Sequence, residues 1–166
     1  MSPNGDGLIF YNAALRIYAP HDLHAELRNR LDLNPTLSAQ AGEIVSDPAA
    51  PTGKTFPADV WLVVAPVDVC RPINEHLSWI IEKARPNVAY LKKLVESGIH
   101  IDIWCTCTTN GVAALISIDP TLIASLAHLE LPVSVRFAAL PQLGGTGVSS
   151  FLGSVPSRDT KQQKNK

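Results

Sequence analysis

Residues 99–111 read IHIDIWCTCTTNG. His100, Asp102, Cys105 and Cys107 are side chains that bind metals or carry redox chemistry, and they lie close together. A zinc centre, however, needs three or four such groups converging on one point. In an extended chain successive side chains point to opposite faces. Ile99, Ile101, Ile103, Cys105 and Cys107 then share one face, and His100, Asp102, Trp104, Thr106 and Thr108 share the other. The two thiols fall in an aliphatic row while the histidine and aspartate point away. Cysteine is among the residue types most often fully buried. The stretch therefore reads as a β-strand with core cysteines, and neither a metal site nor a cofactor is expected.

Other constellations fare no better as chemistry. PTGKT (51–55) has the end of a phosphate-binding loop, but Pro48 stands where its first glycine belongs, and no strand leads into it. LGGTGVSSFLG (143–153) has glycines but no lysine and no following helix. His21 and His24, three apart at a helix start, could hold a metal together; an exposed turn residue and a first-turn helix residue are the simpler reading. Glu75, His76 and Glu82 read as a solvated helix face. No nucleophile-elbow pattern G-x-S-x-G occurs. A non-enzymatic protein is expected.

The elements that would position these residues follow from periodicity. Residues 8–18 predict a first strand, with Leu15 and Ile17 alternating with Arg16. Leu23, Leu27 and Leu31 recur at helical spacing, and Pro35 is the expected stop. Residues 34–58 carry four prolines and two glycines with little periodicity, which predicts a long surface loop. DVWLVVAPV (59–67) is apolar on both faces, as in a central strand. Residues 73–98 predict a helix that Pro86 kinks or splits and Gly98 ends. The opening stretch is the third strand. Asn110-Gly111 is a strong hairpin signal, so residues 112–118 are expected to return as a fourth strand. That register sets Trp104 beside Ser117, Thr106 beside Leu115 and Asp102 beside Asp119. Asp119 and Pro120 open a last helix lined by Leu122, Ile123, Leu126 and Leu129, and residues 132–140 form the final strand. The order is β-α-β-α-β-β-α-β. It predicts an α+β fold, an antiparallel or mixed sheet of about five strands with helices packed on one face. Residues 1–141 are read as one domain, and 142–166 as a flexible glycine-rich and basic tail.

If helices cover one face only, the other carries Arg16, Tyr18, Asp102, Trp104, Thr106, Ser134 and Arg136. Arginine and aromatic anchors among small polar neighbours are typical of contact surfaces. The alternative is that the 34–58 loop, or the C-terminal segment, covers this face.

Composition narrows the partners. Of 166 residues, 46% are hydrophobic and 17% charged, an ordinary globular balance. Four of the 14 basic residues and one of the 15 acidic residues follow Pro156, leaving ten basic against fourteen acidic in the body. A mildly acidic body grips nucleic-acid backbone poorly. No apolar run approaches a membrane span, and MSPNGDG lacks the marks of a secretory signal. Three cysteines, an odd number, fit a reducing compartment. A cytoplasmic protein is expected.

The segment ALRIYAPHDLHAELRNRLDLNPT resembles the start of a bacterial family known as domain of unknown function 4279. So do Trp61 within its strand, the two-part helix closing with LKKLVESG, and the ending ISIDPTLIASLAHLELPVSV. The resemblance covers residues 8–137 and departs at the proline-rich insertion and the glycine-rich tail. It implies a compact bacterial α+β domain and transfers no catalytic residues. Two functions are therefore carried forward. The first is a non-catalytic protein-binding domain, of which an immunity-type protein that neutralises a cognate toxin by direct binding is the sharpest instance. Its contacts would come from Trp104, Arg16, Tyr18, Thr106, Arg136 and Asp102. The second is a small-ligand sensor or unrecognised enzyme, with the same arginines and aromatics clamping an anionic or nucleotide-like ligand.

Overall fold

The computed structural model describes residues 9–46, 53–109 and 116–139. Strand β1 (Ile9–Tyr18) alternates as expected: Ala13, Leu15 and Ile17 enter one core cluster, while Ala14 and Arg16 face the other side. A 3-10 turn (His21–Leu23) leads into α1 (His24–Leu31). This helix ends before Pro35, because Asp32 takes a left-handed conformation (φ 52°) that aspartate tolerates better than most residues. Next come β2 (Leu37–Ala39) and β3 (Val60–Val64). In α2 (Ile73–Ala84), Ile73, His76, Leu77, Ile80, Ile81 and Ala84 form the buried stripe. Pro86 sits in a 3-10 turn (Arg85–Asn87) that splits α2 from α3 (Val88–Glu96), and Gly98, at φ 90°, follows its end. Strand β4 (His100–Thr109), α4 (Pro120–Leu129) and β5 (Val133–Ala139) complete the order.

The five strands make one open mixed sheet in the order β2-β3-β1-β4-β5. Only β4 and β5 run parallel. The helices and the sheet face bearing Leu15, Ile17, Trp61, Ile101, Ile103 and Cys105 enclose the larger apolar core. This is the α+β architecture the periodicity predicts.

Three details differ from expectation. The Asn110-Gly111 turn lies outside the described residues. Residues 112–115 of the expected return strand lie outside them too; in the described residues β1 occupies one edge of β4 and β5 the other. Residues 116–119 belong to no strand. Trp104 therefore lies beside Ala14 and Ser134, not Ser117; Thr106 beside Asn12 and Arg136; and Asp102 beside Arg16. The return to the sheet runs through α4, the helical crossover that parallel strands require.

Second, the 34–58 segment is not a plain surface loop. It contributes β2, an isolated bridge between Ile44 and Thr55, and backbone bonds that tie Gly42 to Phe56 and Val45 to Lys54. Ala39, Val45 and Phe56 are buried from it against Ala14, Val60 and Leu62, forming a second, smaller core on the face away from the helices. Third, Asp119 caps α4 through its backbone carbonyl, which accepts from the N–H groups of Leu122 and Ile123, and its side chain makes no capping bond. Ile123, expected in the apolar stripe, is 54% exposed.

Cys105 and Cys107 are buried, and Cys70 is exposed. Burial pushes the Cys105 thiol up to about 12 and the Cys107 thiol up to about 11. Both stay protonated at neutral pH, and the thiolate is the reactive form. A disulfide-exchange reagent should therefore titrate one thiol quickly in the native protein and all three in denaturant. Rapid reaction of two or three native thiols would show that this strand opens readily.

Candidate functional site

The antiparallel register of β1 and β4 sets Arg16 opposite Asp102 and Ala14 opposite Trp104. Arg16 is 1% exposed and Asp102 is 3% exposed. The guanidinium grips the carboxylate at two points: Nε donates to Oδ1 at 2.8 Å and Nη2 donates to Oδ2. Such a fork satisfies planar donors and acceptors together, which a buried charge requires.

Ala14 carries only a methyl beside Trp104, and the indole lies against the arginine. The guanidinium carbon is 3.9 Å from the Trp104 ring centre and 5.5 Å from that of Tyr18. Cation and π-face attract each other more strongly when water is excluded. Tyr18 in turn lies opposite His100, with ring centres 5.7 Å apart. Burial pushes the Tyr18 hydroxyl above its ordinary value, with Arg16 opposing and the Asp102 charge adding. His100 Nε2 stands 3.6 Å from Asp102 Oδ2, beyond hydrogen-bond length.

All six residues expected at the contact surface share this face, but at different depths. Arg16, Asp102 and Thr106 are buried; Tyr18 and Trp104 are half-buried; Arg136 is exposed beside Thr106. The expectation of an open face therefore needs correction. On the β3–β1 side, Val45 and Phe56 of the 34–58 segment contribute to the apolar cover. On the β4–β5 side, Trp104, Ser134 and Arg136 reach solvent. Arg16 and Asp102 act from beneath, by holding Trp104. Asn12, beside Thr106, was not among the expected residues. Its two-residue phase with Arg16 was the available signal.

His21 and His24 do come together, with ring centres 4.8 Å apart. His24 has both nitrogens engaged, Nδ1 with Ser38 Oγ at 2.8 Å and Nε2 with the Ala19 carbonyl at 3.0 Å. It ties α1 to β2 and to the end of β1. Asp59 accepts the backbone N–H groups of His21 and Ala41. A cavity of about 270 Å³ lies between α2 and α4, lined by Ser78, Ile81, Glu82, Arg85, Leu122 and Ser125, on the helix side of the sheet.

His76, expected on a solvated helix face, is instead fully buried on α2, and neither ring nitrogen completes a hydrogen bond within the described residues. Burial lowers the pKa of His76, against smaller raising contributions from the backbone of Asp68 and Arg71; burial also lowers His24. The unfolded chain thus takes up protons first as pH drops below the ordinary value of 6.5. Stability present above that value is lost as pH falls toward and through the lowered folded values. The urea midpoint should fall between pH 7 and pH 5, and His76→Met should flatten that slope. An unchanged slope in the variant would remove His76 from the account.

A family model described as a domain of unknown function, DUF4279, matches residues 10–139. The chain belongs to the DUF4279 family. The match runs from β1 through β5, so the DUF4279 unit includes the whole sheet and the Arg16–Asp102–Trp104 cluster. No curated protein and no solved structure matches the chain. No helix among the described residues is long and apolar enough to cross a membrane.

Proposed function

We propose that this DUF4279 domain is a non-catalytic bacterial protein-binding domain of the immunity type, working in the cytoplasm, which neutralises a cognate toxin by direct contact. The observation that carries the reading is the half-buried Trp104 held against a buried, doubly hydrogen-bonded arginine. A rigid aromatic loses little freedom on binding, and such residues dominate interface energies. Ser134 and the exposed Arg136 supply polar neighbours on β5, next to β4. The acidic body, ten basic against fourteen acidic residues before the tail, suits a basic toxin surface, where opposite charge speeds encounter.

The test is recovery of the full chain from its native host with whatever protein it retains, then titration of that protein in its own activity assay. The expected result is a toxic enzyme silenced at one-to-one stoichiometry. A retained protein with no toxicity, or a toxin unaffected by saturating chain, would overturn the reading.

A further inference from the structure

The two ends of the sheet differ. Strand β2, at one end, is three residues long, a short edge of the kind that discourages pairing. Strand β5, at the other, is seven residues long and follows Pro132 directly. Among the described strands it pairs only with β4. Its one charged residue, Arg136, is solvent-exposed, and its apolar row is exposed too: Val133 at 38%, Val135 at 41% and Phe137 at 61%. A long apolar edge of this kind templates the addition of another strand.

The hydrogen-bonding direction of that edge follows from the pairing with β4. The Ile103 N–H donates to the Pro132 carbonyl. Backbone polar groups alternate sides along a strand. Residues 132, 134 and 136 therefore turn theirs toward β4, and 133, 135 and 137 turn theirs outward.

We propose that β5 pairs antiparallel with β5 of a second copy of this chain, about a two-fold axis through Val135. An axis there makes the outward-facing residues the hydrogen-bonded pairs, so 133, 135 and 137 exchange six backbone bonds across it. Val135 meets Val135 of the second copy, and each Val133 meets Phe137 of the other. On the opposite face, Arg136 lies against Ser134 of the second copy. An axis at 136 would oppose two arginines, and like charges directly opposite are destabilising. An axis at 134 would leave Phe137 unmatched. The edge is thus self-complementary in one register, as a two-fold interface must be. The two sheets become one of ten strands, with both copies of Trp104 on the same side. This inference stands independently of the toxin-binding reading.

Sedimentation of the full chain tests it. The expected mass is twice 17.9 kDa. Val135→Lys should halve that mass while the circular dichroism is unchanged. In a Cys70→Ser background, Val135→Cys should cross-link to a disulfide dimer on mild oxidation, and Ser134→Cys should not. The cysteine pair keeps the test decisive even if the lysine variant unfolds. A full chain that stays monomeric overturns the proposal, as does a dimer that survives Val135→Lys or fails to cross-link through position 135. A monomeric full chain that dimerises once cut after Pro141 would overturn it too, and would assign the edge to the tail.

Discussion

Asp102→Ala is expected to destabilise the protein by about 3–5 kcal/mol, the usual result of stranding one partner of a buried ion pair. The reason is geometric. Arg16 is 1% exposed, and its Nε and Nη2 each donate to the Asp102 carboxylate. Removing the carboxylate strands a buried cation beside the ring faces of Tyr18 and Trp104. A typical domain has about 5–15 kcal/mol of stability in total, so the variant should lose a large share of its native population. The pair Arg16→Met and Asp102→Leu together should recover most of the loss, because well-packed apolar side chains can replace a buried pair at little cost. Urea unfolding of the two single variants and the double variant closes the cycle. A single-variant loss below about 1 kcal/mol would mean that the cluster is wet and behaves as a surface pair. Added salt should change the wild-type value little, because buried pairs are poorly screened.

The second large effect is on binding. Trp104→Ala is expected to weaken partner affinity at least tenfold, since truncating a central anchor typically costs about 2 kcal/mol or more. Because the indole also covers Arg16, the variant should lose some thermal stability while remaining folded. Trp104→Phe separates the two effects: it keeps a ring over the guanidinium but presents less area to a partner. Circular dichroism establishes the fold, and calorimetry with the recovered partner gives the affinity. A folded Trp104→Ala that binds like wild type would move the contact surface elsewhere, and Arg136→Ala, a rim change, should cost far less.

Much of this was legible from alternation. The phase of Cys105 and Cys107 with Ile101 and Ile103 placed both thiols in the core, and all six candidate contact residues do share one face. What alternation cannot supply is depth. Arg16 and Arg136 have the same pattern around them, yet one is buried and the other exposed. The difference comes from which segments pack over each end of the sheet. Partners were equally hidden: Arg16 and Asp102 are 86 positions apart, and nothing local links them. Strand β2 carries no sequence signal, because three residues cannot show a period. The Asn-Gly signal favoured a local hairpin, while the long-range pairings of β1 and β5 had already taken both edges of β4.

The place of β1 at the centre of the sheet bears on how the chain is made. It is the first of the five described strands to be synthesised, yet one neighbour is β3 and the other is β4, whose Thr109 pairs with Ile9. At ordinary translation speeds the interval between them is roughly 5–20 s. During that time a ten-residue strand with apolar stretches waits in the nascent chain, its β4 edge bare throughout and its β3 edge bare until β3 emerges. Pairings so distant in sequence also close slowly once both strands exist. The central strand is therefore the part of the protein most exposed to mispairing while it is being born.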